Sequence, residues 1–116
     1  MIIIAGTIDL DPDRRDEAVA ASVPLQQATR DDEPGCLAYC FAADPCVDGR
    51  LQVYELWADS KTLDAHFQHE NYFNMRDALH RFGLRGADTT KYRVDATDPV
   101  YKDGVAAARF WSVEGS

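Results

Sequence analysis

Glu55, Trp57 and His66 stand within twelve residues of one another in "ELWADSKTLDAHFQHENY" (55–72), each beside an apolar run. A carboxylate carried on an apolar strand face needs a partner or a raised pKa. Glu55 shares its strand face with Val53 and Trp57, and His66 on the helix that follows is the candidate partner. A Glu–His pair of this kind removes a proton from a phenol or an enolisable ketone. The competing reading is a hydrogen bond that pins helix to sheet. Trp57 has the same two faces, a pocket wall or a core side chain at a strand end. Tyr72, Tyr39 and Tyr54 could each supply a phenol, although tyrosines at such positions commonly pack with a hydrogen-bonded tip. His69 and His80 read as surface residues.

The elements that must position these groups follow from hydropathy patterning. Residues 2–8, "IIIAGTI", read as a β-branched strand. "DPDRRDE" starts a helix with Asp11 as N-cap and Pro12 at the first helical position. Pro24 should kink or split that helix, and Pro34-Gly35 end it. Residues 36–43 and 51–57 form two strands joined through the turn signal Asp48-Gly49. Ser60 caps a second helical region that Asn71 re-caps, and its apolar face carries Leu63, His66 and Phe67. Residues 89–96 alternate as a fourth strand, with Thr90, Tyr92, Val94 and Ala96 on one face. The tail either adds a strand or swaps onto a neighbour. The expected division is a domain over 1–98 and a C-terminal extension over 99–116.

The order βαββαβ is the ferredoxin-like α+β arrangement, with helices on one face of an antiparallel sheet. "IIIA" and "CLAYCF" are apolar on both strand faces, and two helices cover only one. A second copy packing sheet to sheet, as a homodimer, resolves this.

Composition bounds the partners. The chain has 116 residues and a net charge of −8, which argues against nucleic acid and anionic membrane surfaces. No run is long enough to span a bilayer, and the N-terminus lacks the features of a signal peptide, so the expected location is cytoplasmic. Cys36, Cys40 and Cys46 have no metal spacing. Cys36 and Cys40 fall on one strand face, too far apart to bridge, and read as buried small hydrophobes in a reducing compartment.

"YELWADSKTLDAHFQHENYF", preceded by "EPGCLAY", resembles the antibiotic biosynthesis monooxygenase family over roughly residues 1–98. The shared features are a Glu-x-Trp strand end, an Asp/Ser turn, a Leu-x-x-His helix and the Glu-Pro-Gly-Cys entry into the second strand. The resemblance implies a dimeric α+β barrel. It also implies cofactor-independent monooxygenation of a small electron-rich aromatic, a phenol, quinol or anthrone, by O2. By the same resemblance Trp57 lines the substrate pocket, and Arg76, in "RDAL", reaches it and stabilises an anion. His66 and Glu55 would be catalytic, with Trp57, Arg76 and Tyr72 binding substrate. Val53 stands where the polyketide oxygenases carry an asparagine, and "IIIAGTI" lacks the first-strand asparagine of the haem-degrading branch. Neither haem nor any other cofactor is expected. An isomerase acting on a small polar carbonyl compound and a non-catalytic ligand-binding dimer are the alternatives. An aromatic-lined cavity separates oxygenation from a basic phosphate-sized one or a filled interior.

Overall fold

The computed structural model describes residues 1–113. In chain order it builds β1 (Ile2–Asp9), α1 (Arg15–Asp32), β2 (Cys36–Ala43), β3 (Arg50–Trp57), α2 (Ser60–Phe67), α3 (Glu70–Arg81) and β4 (Gly86–Arg93). The sheet runs β2-β3-β1-β4 and every pair is antiparallel. This is the α+β ferredoxin-like fold that the sequence predicts, with the second helix broken into α2 and α3. Two short strands, β5 (Tyr101–Lys102) and β6 (Val105–Ala106), pair as a separate hairpin instead of joining the main sheet. Ser112 closes that segment by donating from its N–H and Oγ to Asp98. The end of the expected extension, residues 114–116, lies outside the described residues. Among the described residues no helix is long and apolar enough to cross a membrane.

The period-2 alternation of the strands builds the core. Ile4 and Ile8 of β1, Tyr39 and Phe41 of β2, and Leu51 and Val53 of β3 face the helices. Leu10, Leu51 and Trp57 are essentially inaccessible to solvent, and each such side chain contributes about 2 to 3 kcal/mol of transfer free energy. The opposite sheet face remains apolar and open, with Leu37, Tyr54 and Tyr92 exposed on it.

Several local expectations are corrected. Asp11 does not cap α1: its carboxylate accepts the Asp13 N–H at 3.0 Å and its carbonyl the Arg14 N–H at 2.9 Å. That turn consumes the groups a cap would use, so the helix starts at Arg15. Pro24 neither splits nor ends α1, which continues to Asp32. Asp59, not Ser60, caps α2, through a capping box with Thr62 (2.8 Å from Asp59 Oδ1 to the Thr62 N–H). His69, not Asn71, caps α3, accepting the Asn71 N–H at 3.0 Å. The fourth strand spans Gly86–Arg93 rather than 89–96, and all of it is exposed, so no buried stripe marked its limits.

The cysteines do not share a face. A bulge between Cys36 and Ala38 advances the register, so Cys36 pairs with Trp57 and turns inward while Leu37 is left exposed. Cys36 is half-buried, Cys40 and Cys46 are exposed, and all three are free thiols. Burial pushes the Cys36 thiol up to about 11, so it is unreactive at neutral pH.

Candidate active site

β3 presents Val53, Glu55 and Trp57 in alternation towards the helices, as the sequence predicts. Glu55 is 7 % exposed, and its neighbour two positions along donates to it: Trp57 Nε1 lies 3.0 Å from Glu55 Oε1. Burial pushes the Glu55 carboxyl up to about 7, opposed by the Trp57 N–H and reinforced by the Glu33 charge.

Glu55 forms part of the wall of a cavity of about 360 Å³ between the sheet and the helices. Tyr39, Phe41, Phe67, Tyr72 and Arg76 line it with Glu55, together with aliphatic side chains and Ala87 and Thr89 of β4. The volume lies within the range of small-molecule sites, and the lining is largely apolar around one buried acid. Arg76 is half exposed, with its guanidinium 5.0 Å from the centroid of the Phe73 ring and 3.5 Å from Asp77, and supplies a cation to the cavity. Burial raises the Tyr39 phenol well above its ordinary range, so it remains protonated.

His66 is not the partner of Glu55. Its Nδ1 lies 3.0 Å from both carboxylate oxygens of Glu33, which also accepts from Asn71 Nδ2 at 3.3 Å. Glu33 is the residue that flanks the C-terminus of α1. The pair therefore ties the end of α1 to α2, and Asn71 brings in α3. A carboxylate only accepts, which assigns the proton to Nδ1. Burial lowers the His66 pKa and the Glu33 carboxylate only partly restores it, which favours the neutral ring.

Nor does His66 border the cavity. It is 1 % exposed, and three cavity-lining rings, Tyr39, Tyr72 and Phe67, pack on it at centroid distances of 5.7, 5.6 and 5.8 Å. Trp57 is likewise absent from the lining. It has no exposed surface and stacks on His66 at 4.5 Å, so the expected pocket wall is a core side chain behind the cavity. Of the five predicted site residues, Glu55, Tyr72 and Arg76 meet at one cavity, while His66 and Trp57 form the layer behind it. The sequence reasoning missed Glu33 and Asn71. Glu33 was in view in Glu-Pro-Gly-Cys as an acid at a helix end, but nothing local links it to a histidine 33 positions on. Gly35 of the same segment is required by close approach, since a Cβ there would fall 2.2 Å from Thr62 Cβ. His80 is exposed, and Tyr54 faces away from the cavity on the open sheet face.

The profile of the antibiotic biosynthesis monooxygenase family matches residues 1–78. Among curated proteins, the uncharacterized protein sll1783 of Synechocystis is 37 % identical over 67 residues, which is 58 % of this chain and 45 % of that one. The chain thus spans less than half the length of this relative. A solved structure from Deinococcus radiodurans, given the family's name provisionally, superposes with a TM-score of 0.77 at 24 % identity, covering 88 % of this chain and 100 % of its own. One from Caulobacter crescentus, named in the same way, gives 0.73 at 22 % identity, covering 84 % and 90 %. These two likenesses establish the fold. A third structure, called an antibiotic biosynthesis monooxygenase, gives 0.68 at 26 % identity, covering 84 % and 100 %.

Proposed function

The chain belongs to the antibiotic biosynthesis monooxygenase family, and from that premise we propose that it is a cofactor-independent monooxygenase. Its substrate is a small electron-rich aromatic, a phenol, quinol or anthrone, and its oxidant is dioxygen. The observation that carries this reading is the buried carboxylate of Glu55 in an otherwise largely apolar, aromatic-lined cavity. Triplet oxygen reacts slowly with closed-shell molecules, and a deprotonated phenol or enol is a far better one-electron donor than its neutral form. With its pKa near 7, Glu55 is poised to take the acidic proton at neutral pH. Arg76 offers a positive charge to the resulting anion, and the apolar walls limit its hydration. The anion gives one electron to oxygen, the substrate radical and superoxide combine as a peroxide anion, and the proton held on Glu55 returns to it to give the hydroperoxide. Loss of water leaves one oxygen atom on the substrate, and its two displaced hydrogens leave in the water.

Glu55 is the base in this scheme because it lines the cavity, and His66 is not. Tyr72 contributes an aromatic wall. The apolar lining weighs against a phosphate-sized basic site for an isomerase, and the open volume against a filled, non-catalytic interior. A second copy of the chain covers the sheet face that carries Leu37, Tyr54 and Tyr92, and makes a homodimer. Residues 1–98 form the catalytic unit and the segment from 99 is appended to it. Three unpaired thiols fit a reducing, cytoplasmic setting.

The test is oxygen uptake on a panel of quinols, anthrones and flavonoid-like phenols without added cofactor, with Glu55→Gln in parallel. Uptake with at least one member, lost in the variant, is expected. No uptake across the panel, or equal uptake in the variant, overturns the reading. Sedimentation at micromolar concentration should show a dimer, and a stable monomer there removes the packing argument.

A further inference from the structure

We propose that Trp57 is a positioning residue for the Glu55 carboxylate, its indole N–H fixing one carboxylate oxygen so that the acid is held in a single orientation at the cavity wall. This inference rests on the reading of Glu55 as the cavity's base. Trp57 is the described side chain that donates to Glu55, and the 3.0 Å bond is buried, where such bonds are strengthened by the low local dielectric. Indole donates and does not accept, so it orients the acid without competing for the proton that the acid takes up.

The orientation of the indole is itself fixed. Trp57 is fully buried and stacks on His66 at 4.5 Å with the planes 36° apart, and His66 is tethered to Glu33. The line Glu33–His66–Trp57–Glu55 therefore links the end of α1 to the cavity wall. Because Trp57 lies outside the cavity, its ring is not available to stack on a substrate, and its nitrogen is the part that reaches the site.

Other groups face Glu55 as well. Tyr39 pairs with it across β2, Cys36 and Glu33 lie on the same side, and Tyr72 and Arg76 approach from α3. On the other side Ile4 intervenes before Lys91 of β4. Among the described residues the donor that reaches the carboxylate is the Trp57 indole.

The experiment is a pH titration by NMR of the full chain, labelled at the tryptophan indole nitrogens and the glutamate carboxyl carbons. The chain has two tryptophans, so Trp111 serves as an internal reference. Between pH 5 and 9 (a span of about two units on either side of 7) the Trp57 indole resonance should move with the same midpoint as the Glu55 carboxyl carbon, while that of Trp111 stays in place. Glu55→Gln should abolish the movement. Trp57→Phe should raise the Glu55 midpoint by about one unit, the worth of a hydrogen bond to a charged group. An indole resonance that ignores the Glu55 titration, or a midpoint unchanged in Trp57→Phe, overturns the inference. If Trp57→Phe does not fold, the wild-type and Glu55→Gln titrations decide alone. Failure of every substrate in the oxygen-uptake panel would remove the catalytic role of Glu55 and leave this titration intact, so the two failures are distinguishable.

Discussion

Glu33 and Glu55 are both 7 % exposed and stand at opposite ends of the Trp57–His66 stack, yet they are equipped differently. Glu33 receives His66 Nδ1 on both oxygens and the Asn71 amide besides. At the C-terminal end of α1 an acid is disfavoured by the helix dipole, and these donors offset that cost. Among the described residues Glu55 receives one donor, the Trp57 indole N–H, and it faces a cavity. Two like side chains at equal burial thus differ in how fully their lone pairs are used. The well-supplied one joins three helices, and the poorly supplied one keeps a proton affinity suited to acid–base work at neutral pH.

The contrast breaks most visibly at Glu55. Glu55→Gln should lower turnover by on the order of a hundredfold or more, the usual worth of a general base. A variant with near wild-type turnover would mean that Glu55 is as structural as Glu33. The next effect is on stability. The folded chain prefers Glu55 protonated, its carboxyl being raised from 4.5 to about 7. Its favourable contribution is therefore complete below pH 4.5 and is lost as the pH rises through about 7. The loss should be on the order of 3 kcal/mol. Urea denaturation from pH 4 to 9 (about the range that brackets both pKa values) should show this fall in the wild type and a flatter profile in Glu55→Gln. Equal slopes in both would shift the burden to another group.

Glu33→Gln should act in the opposite sense, costing about 2 kcal/mol of stability and far less turnover than Glu55→Gln. His66→Gln should follow it in losing stability, with activity per folded molecule retained. If either variant behaved like Glu55→Gln, the separation of pin from acid would fail. Arg76→Ala is expected to have the smallest effect. It should weaken substrate binding by on the order of 1 kcal/mol and leave thermal stability nearly unchanged, since the side chain is half exposed.

The fold was legible wherever burial imposed a period. "IIIAGTI", "CLAYCF" and "LQVYELW" place their strands to within a residue or two. β4, exposed along its whole length, had no buried stripe and was read three residues late. The caps of α2 and α3 were misplaced by one and two positions because Asp59, Ser60, His69 and Asn71 are all competent caps, and only the chain's path selects among them. The bulge beside Leu37 leaves no mark in the sequence, and it reversed the face of Cys36. At the site, Glu55 was found from strand alternation alone. His66 was paired with Glu55, the acid on the strand just before its helix, whereas helix packing delivers Glu33 from across the fold.

Pro24 bears on how the molecule opens. Proline has no amide hydrogen, so the carbonyl of Ala20, one turn earlier, receives no bond from it. Both residues face solvent, where water substitutes, and the helix runs on unbroken. The hydrogen-bond ladder nevertheless has a missing rung at its middle. Beyond it, Gln26 exchanges two bonds with Phe41, Arg30 Nε reaches the Tyr39 carbonyl at 2.8 Å, and Glu33 clasps His66. Before it, the anchors sit at the helix start, where Arg15 bonds the carbonyls of Asp44 and Val47. In hydrogen exchange the two halves of α1 should therefore behave as separate opening units, the amides before Pro24 exchanging sooner than those after it. The half that leads to Glu33 can stay closed, and hold His66 in place, while the other breathes.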